Sequence, residues 1–225
     1  DLEKADIDAL KKCEVGKCDL QLSAAMIKRM QTELDRNSPD FAARSTEVFG
    51  QMILDYVKDY SSRGNAALLQ FDNQKKSIHL KDEHQDLLNK LPLIKIFAPQ
   101  FVKYLEDFPR YELSETKSDF FWSKIKFGLK PIITLSHTST YEKQKIGEKQ
   151  FFVITKQIYA SRYVQSSLTL TALLKFSESE NYLIFTNISN SDSLDGLFSD
   201  FKHSIVEKEA QERAVELLQQ TKRRI

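Results

Sequence analysis

The sequence predicts an α+β chain, with a helical N-terminal half, then an antiparallel sheet, then one long C-terminal helix that covers it. Three observations carry this. Apolar residues recur with a period near four up to about residue 118. From there the period falls to two, over segments rich in β-branched and aromatic residues. Residues 192–225 then return to a single amphipathic helical pattern.

The totals bound the class. At 225 residues, with 41% hydrophobic and 29% charged residues, the composition is that of an ordinary globular chain able to bury one good core. The formal net charge of +1, from 33 basic and 32 acidic residues, gives no general attraction to nucleic acid or to an anionic membrane surface. Apolar runs such as "YLIF" fall far short of the ~18 residues a spanning helix needs, so no transmembrane segment is expected. The chain begins at Asp1 rather than methionine, which points to an upstream segment removed as a signal peptide or by trimming. Fifteen phenylalanines suggest a large apolar interior.

The elements follow in order. "DLEKADIDALKK" places Ile7 and Leu10 on one side of a short helix. "KKCEVGKCDLQL" holds both cysteines, Cys13 and Cys18, around "EVGK", where Gly16 suits a tight turn. Such a turn brings the two thiols within bridging reach. Two free thiols are the plain alternative. A metal site is disfavoured because no histidine lies nearby, and a redox motif because the spacing is not C-x-x-C. The disulfide is the favoured reading, and with it an oxidising compartment, periplasmic or secreted. "CDLQL" alternates like a short strand. "SAAMIKRMQTEL" has Ser23 as N-cap and Met26, Ile27, Met30 and Leu34 at helical spacing. "NSPDFAARSTEVFGQMILDYVKDYSSRG" reads as a longer helix, capped by Ser38, with Pro39 at its first position and Gly64 closing it. "AALLQF" and "SIHL" form two short paired strands. "KDEHQDLLNKL" and "APQFVKYLEDF" form two helices, an insertion at about residues 81–110 punctuated by Pro92, Pro99 and Pro109.

The sheet is read from "FFWSKIKF", "PIITLSHTSTYE", "KQFFVITKQIYASRYV", "SSLTLTALLKF" and "NYLIFTNIS". Short polar connections make sequential neighbours antiparallel. One face collects Leu168, Leu170, Ala172, Leu174 and Phe176, with Leu183 and Phe185 on the next strand. The terminal helix is the expected cover, through Leu194, Leu197, Phe198, Phe201 and Ile205.

The order strand, two helices, two strands, helical insertion, five strands and long terminal helix resembles the START-like, or helix-grip, superfamily. That resemblance implies a single domain over residues 1–225, in which a curved antiparallel sheet wraps around the C-terminal helix. It also implies a cavity between sheet and helix that takes lipids, sterols or other apolar molecules, and in some members ring chemistry. The stretches "CEVGKCDLQL", "GNAAL", "FWSKIKFGLKP", "QIYASRYVQSSLTLTALL" and "FKHSIVE" are similar to a group of uncharacterised exported bacterial proteins, a likeness that implies fold and compartment but no mechanism.

Catalytic signatures are missing. The chain lacks G-x-S-x-G, H-E-x-x-H, a Walker loop and G-x-G-x-x-G, and its four histidines share no metal-ligand spacing, so no metal or cofactor is expected. His137 is in phase with Ile133, Leu135 and Tyr141, and reads either as a polar group orienting a ligand or as a hydrogen-bonded core histidine. Arg162 is in phase with Ile158, Ala160 and Val164, and if buried must meet a carboxylate of the protein or an acidic ligand head group, with Tyr159 and Tyr163 on the opposite face. Trp122 and Phe185 are candidate aromatic walls. Together these four make the candidate site of a non-enzymatic carrier of an apolar, lipid-like molecule. The alternatives are a protein-interaction module with a solid core, and a cyclase-like enzyme working through His137.

Overall fold

Helices come first and long strands second in the computed structural model of the chain, which describes residues 2–127, 130–145, 148–175, 177, 180–191, 212, 215, 216, 219 and 220. One compact unit spans Asp1–Asn190 and a second spans Ser191–Ile225. The first unit contains α1 (Lys4–Lys11), α2 (Ala24–Glu33), α3 (Phe41–Arg63), a 3-10 turn at Gly64–Ala67, β1 (Gln70–Phe71) and β2 (Ile78–His79). These are followed by α4 (Leu80–Asn89), α5 (Pro92–Phe97) and α6 (Pro99–Asp107). The sheet is β3 (Thr116–Phe127), β4 (Lys130–Lys145), β5 (Glu148–Ala160), β6 (Ser166–Lys175) and β7 (Asn181–Asn190), antiparallel and in sequence order.

Local signals explain most boundaries. The Ser23 hydroxyl accepts from the Met26 amide at 3.2 Å, capping α2 as its position implies. Gly64 ends α3 at φ +57°, and a side chain there would collide with the Phe108 carbonyl, 1.6 Å from the Cβ position. α3 itself begins at Phe41, after Asp40, so Ser38 and Pro39 lie in the turn before it. Pro92 and Pro99 open α5 and α6, making the insertion three helices where two were expected. β1 and β2 pair as anticipated. Residues 18–22 do not form a strand: the Gln21 amide bonds the Ser161 carbonyl and the Asp72 amide bonds the Leu22 carbonyl, single links rather than a ladder.

The disulfide is present between Cys13 and Cys18. Glu14 and Lys17 exchange backbone bonds of 3.0 and 2.9 Å across the turn, with Gly16 at φ +81°. Gly16 and Cys18 then donate to the carbonyls of Asp72 and Asn73, and the Cys13 carbonyl accepts from Gln31 and Arg36. The loop therefore ties α1 to α2 and to the β1–β2 connection.

One face of the sheet is buried along β4 at Leu135, His137, Ser139 and Tyr141, along β5 at Phe152, Ile154, Lys156 and Ile158, and along β6 at Leu168, Leu170 and Ala172. Helices of the N-terminal half pack on this face. α1–α3 pack on Leu135, Ile158 and Tyr159, forming one core; α4–α6 pack on Phe152, Ile154, Leu168, Leu170 and Ala172, forming a second. Each fully buried aliphatic side chain contributes about 1.5–3 kcal/mol, so these helices contribute substantially to holding this face. The terminal helix read at 192–225, with Phe198 and Phe201, lies outside the described residues except for positions 212, 215, 216, 219 and 220, which are helical.

Two face assignments are corrected. Ala172 pairs with Ile184 and Leu168 with Ile188, so Leu183 and Phe185, paired with Leu173 and Thr171, project from the opposite face. On β5 the register to β4 shifts between Leu135 and Ser136, leaving Ile158 unpaired as a bulge. Ile158 and Tyr159 consequently both enter the core, and the Tyr56 hydroxyl donates to the bulged Ile158 carbonyl at 2.9 Å.

Candidate functional site

The two apolar cores do not meet along the sheet. Between them runs one transverse row of cross-strand partners, Phe120, His137, Lys156 and Leu168, and its two central members are polar. On β4 the row separates Leu135 from Tyr141, and on β5 it separates Ile158 from Ile154. The C-terminal end of α3, the 3-10 turn, α4 and α6 each send one polar side chain to this seam: Tyr60, Asn65, His84 and Tyr104.

His137 is fully engaged. Its Nδ1 meets the Tyr60 hydroxyl at 3.1 Å, and its Nε2 meets the hydroxyls of Ser118 at 3.0 Å and Ser139 at 3.2 Å. Tyr104 reaches the same Ser118 hydroxyl. The ring lies 4.4 Å from the Phe108 centroid and 4.9 Å from that of Phe120. Burial, and secondarily the charge of Lys156, push its pKa down to about 3, so the imidazole is neutral. Burial also raises the Tyr60 hydroxyl well above its usual range.

Lys156 is 6% exposed. Its amine donates to Asn65 Oδ1 and sits 5.4 Å above the Tyr60 ring. Asn65 is oriented for this by its own amide nitrogen, which donates to the carbonyls of Leu105 at 2.9 Å and Glu106 at 2.7 Å. With no carboxylate as its partner in these contacts, the amine is pushed by burial down to about 7. His84 Nε2 lies 2.8 Å from the Gln157 carbonyl, so that nitrogen carries the proton. Its Nδ1 is buried and has no hydrogen-bond partner among the described residues. Burial first, and Lys156 second, hold His84 well below the ordinary histidine range.

Among the described residues, clefts open on this side of the sheet. A small one, about 70 Å³, is lined by Asn65, Lys81, His84, Leu88, Glu106 and Lys156, among others. A larger one, about 180 Å³, lies between α5 and the inner face of β5–β7, lined by Leu91, Leu93, Ile94, Phe97, Phe152, Leu170, Ala172, Leu174 and Ile184, with Lys90 at its edge. Among the described residues no group of three or more His, Cys, Asp or Glu side chains is placed to hold a metal ion.

The four residues expected to line one cavity are not gathered into one, and none of them lines either cleft. His137 is in the seam. Arg162 is 4% exposed, beyond the end of β5, and its guanidinium is paired with the Asp6 carboxylate of α1. Its partner is thus a carboxylate of the protein. Trp122 is 72% exposed on the edge strand β3. Phe185 is half-buried on the opposite face. The residues that reasoning from the sequence passed over are Lys156 and His84. Both were accessible to the criterion that singled out His137: Lys156 breaks the apolar phase of Phe152, Ile154 and Ile158, and His84 that of Leu80, Leu87 and Leu88.

No family model matches the chain, and neither curated proteins nor solved structures provide a match.

Proposed function

We propose that this protein binds an apolar, lipid-like ligand without transforming it, in the cleft between α5 and the inner face of β5–β7. The observation that carries the reading is the lining of that cleft, which is almost wholly aliphatic and aromatic and has a single cation, Lys90, at its edge. An acyl chain or similar group would lie on Leu170, Ala172 and Ile184, with a polar end toward Lys90 and solvent. The likeness to helix-grip proteins belongs to the same reading. Five sequential antiparallel strands with one helix-covered face support it, and a terminal helix over residues 192–225 is part of the proposal. We place the protein in the periplasm or outside the cell, a reading that the Cys13–Cys18 disulfide supports. No helix among the described residues is long and apolar enough to cross a membrane.

The test is uptake of a fluorescent fatty acid by wild type and by Ile184→Trp, which fills the cleft from a half-buried position. Saturable uptake by wild type, weakened at least about tenfold in the variant at unchanged melting temperature, is the expected result. Equal uptake by both would remove the ligand from this cleft.

Docking of a protein partner is the second reading, and it has its own observation. Ile96 of α5 lies outside the cleft lining and is 70% exposed, next to the partly exposed cleft residues Leu93 and Phe97. Ile96→Glu leaves the cleft lining intact, so loss of a partner in that variant with fatty-acid uptake retained would favour this reading.

A further inference from the structure

We propose that Lys156 and His84 form a covalent binding site for a small aldehyde or ketone, which Lys156 captures reversibly as an imine. This is a different site from the apolar cleft, and it stands or falls independently of it. Three features of the geometry lead to it. The amine and the imidazole line the same small cleft, whose about 70 Å³ suits a ligand of a few heavy atoms. The amine donates to a neutral amide oxygen, Asn65 Oδ1, itself held in place by two backbone carbonyls on the amide's other side. His84 presents a buried Nδ1 lone pair with no partner among the described residues, because Nε2 is committed to the Gln157 carbonyl.

Each group then has a task. The Lys156 lone pair adds to the carbonyl carbon, forming the C–N bond while the carbonyl π pair moves to oxygen. A proton passes from nitrogen to that oxygen by way of His84 Nδ1, giving a carbinolamine. A second proton follows the same route, the hydroxyl leaves as water, and the nitrogen lone pair closes the C=N bond. One amine and one carbonyl compound give one imine and one water, with no oxidant or reductant. Asn65 Oδ1 accepts from the amine before addition and from the N–H of the carbinolamine. Hydrolysis through the same steps releases the ligand. Burial supports the chemistry: with the amine lowered to about 7, about half of it is neutral at that pH, against roughly one in three thousand for an ordinary lysine.

The experiment is reductive trapping of the full chain at pH 7 with acetaldehyde and cyanoborohydride, read by intact mass and peptide mapping. The Lys156 peptide should gain the ethyl group at least about tenfold faster than any other lysine peptide, and lose that advantage when the chain is denatured. His84→Gln should slow labelling of Lys156 severalfold while leaving the surface lysines unchanged. Benzaldehyde, too large for the cleft, should show no preference for Lys156. Labelling of Lys156 at or below the rate of the surface lysines would overturn the proposal. An unchanged rate in a folded His84→Gln variant would overturn the role given to the imidazole.

Discussion

Asp6 and Arg162, 156 positions apart, form an ion pair with both side chains almost fully withdrawn from solvent. The other Asp6 oxygen accepts from the Glu3 amide at 2.9 Å, closing the capping box at the start of α1. One carboxylate thus caps the first helix and anchors it to the end of β5. Removing a single partner leaves an uncompensated buried charge. Arg162→Met or Asp6→Leu alone should cost about 3–5 kcal/mol in urea unfolding, and the double variant should recover most of the loss. Additive losses in the double variant would mean that the two groups are not coupled.

The disulfide closes a very small loop, so its effect on the unfolded chain is modest. Reduction, or a Cys13→Ala, Cys18→Ala pair, should lower stability by about 2 kcal/mol. Thiol titration of the denatured, unreduced protein should find no free thiol. Two reactive thiols per chain would contradict the bond.

Among the described glycines, Gly64 is the one with no room for a side chain. Its φ of +57° and the Phe108 carbonyl facing it both act against Ala, the first through strain and the second through collision. Gly64→Ala should cost at least about 2 kcal/mol, and should loosen the α3–α6 junction through which Asn65 reaches Lys156. Hydrogen exchange at the amides of residues 105–108 reads that loosening directly.

How legible was this molecule in its sequence? Period-two alternation located all five sheet strands, and caps and prolines located most helices, because those signals are local. Face assignment failed where the local pattern is ambiguous. β7 carries apolar residues in both phases, Leu183 and Phe185 in one, Ile184 and Ile188 in the other, so only its pairing with β6 decides which are inside. The bulge at Ile158 likewise reverses the phase beyond it, which put Tyr159 in the core against expectation. The cover of the inner face was only partly legible, because amphipathicity does not say which surface a helix meets: α1–α6 pack there, and the terminal helix read as the cover lies outside the described residues except for five positions. Arg162 was read as needing a partner, and Asp6 is that partner; nothing in a single sequence links positions so far apart. The seam was half visible. His137 stood out, while Lys156, the same kind of break on the neighbouring strand, was passed over.

The seam should make stability depend on pH, and the sign can be worked out. Lys156 has a folded pKa of about 7 against an unfolded value near 10.5, so between those limits the unfolded chain binds more protons. Stability from this group is complete above about 10.5 and is lost as pH falls toward 7, with a limiting slope of about 1.4 kcal/mol per pH unit. His137, at about 3 folded against 6.5 unfolded, and His84, also lowered, extend the loss to the acid side, as pH drops below 6.5. Around the Lys156 amine are Asn65, the Tyr60 ring and His137, with His84, Lys81 and Glu106 lining the same cleft, and of these only Glu106 is a carboxylate. Urea unfolding of wild type should therefore give a rising free energy from pH 7 to pH 9. Lys156→Met, which keeps the stem and removes the charge, should flatten that rise and stabilise the protein most at pH 7. Parallel curves for the two proteins would mean that the Lys156 amine keeps an ordinary pKa in the folded state.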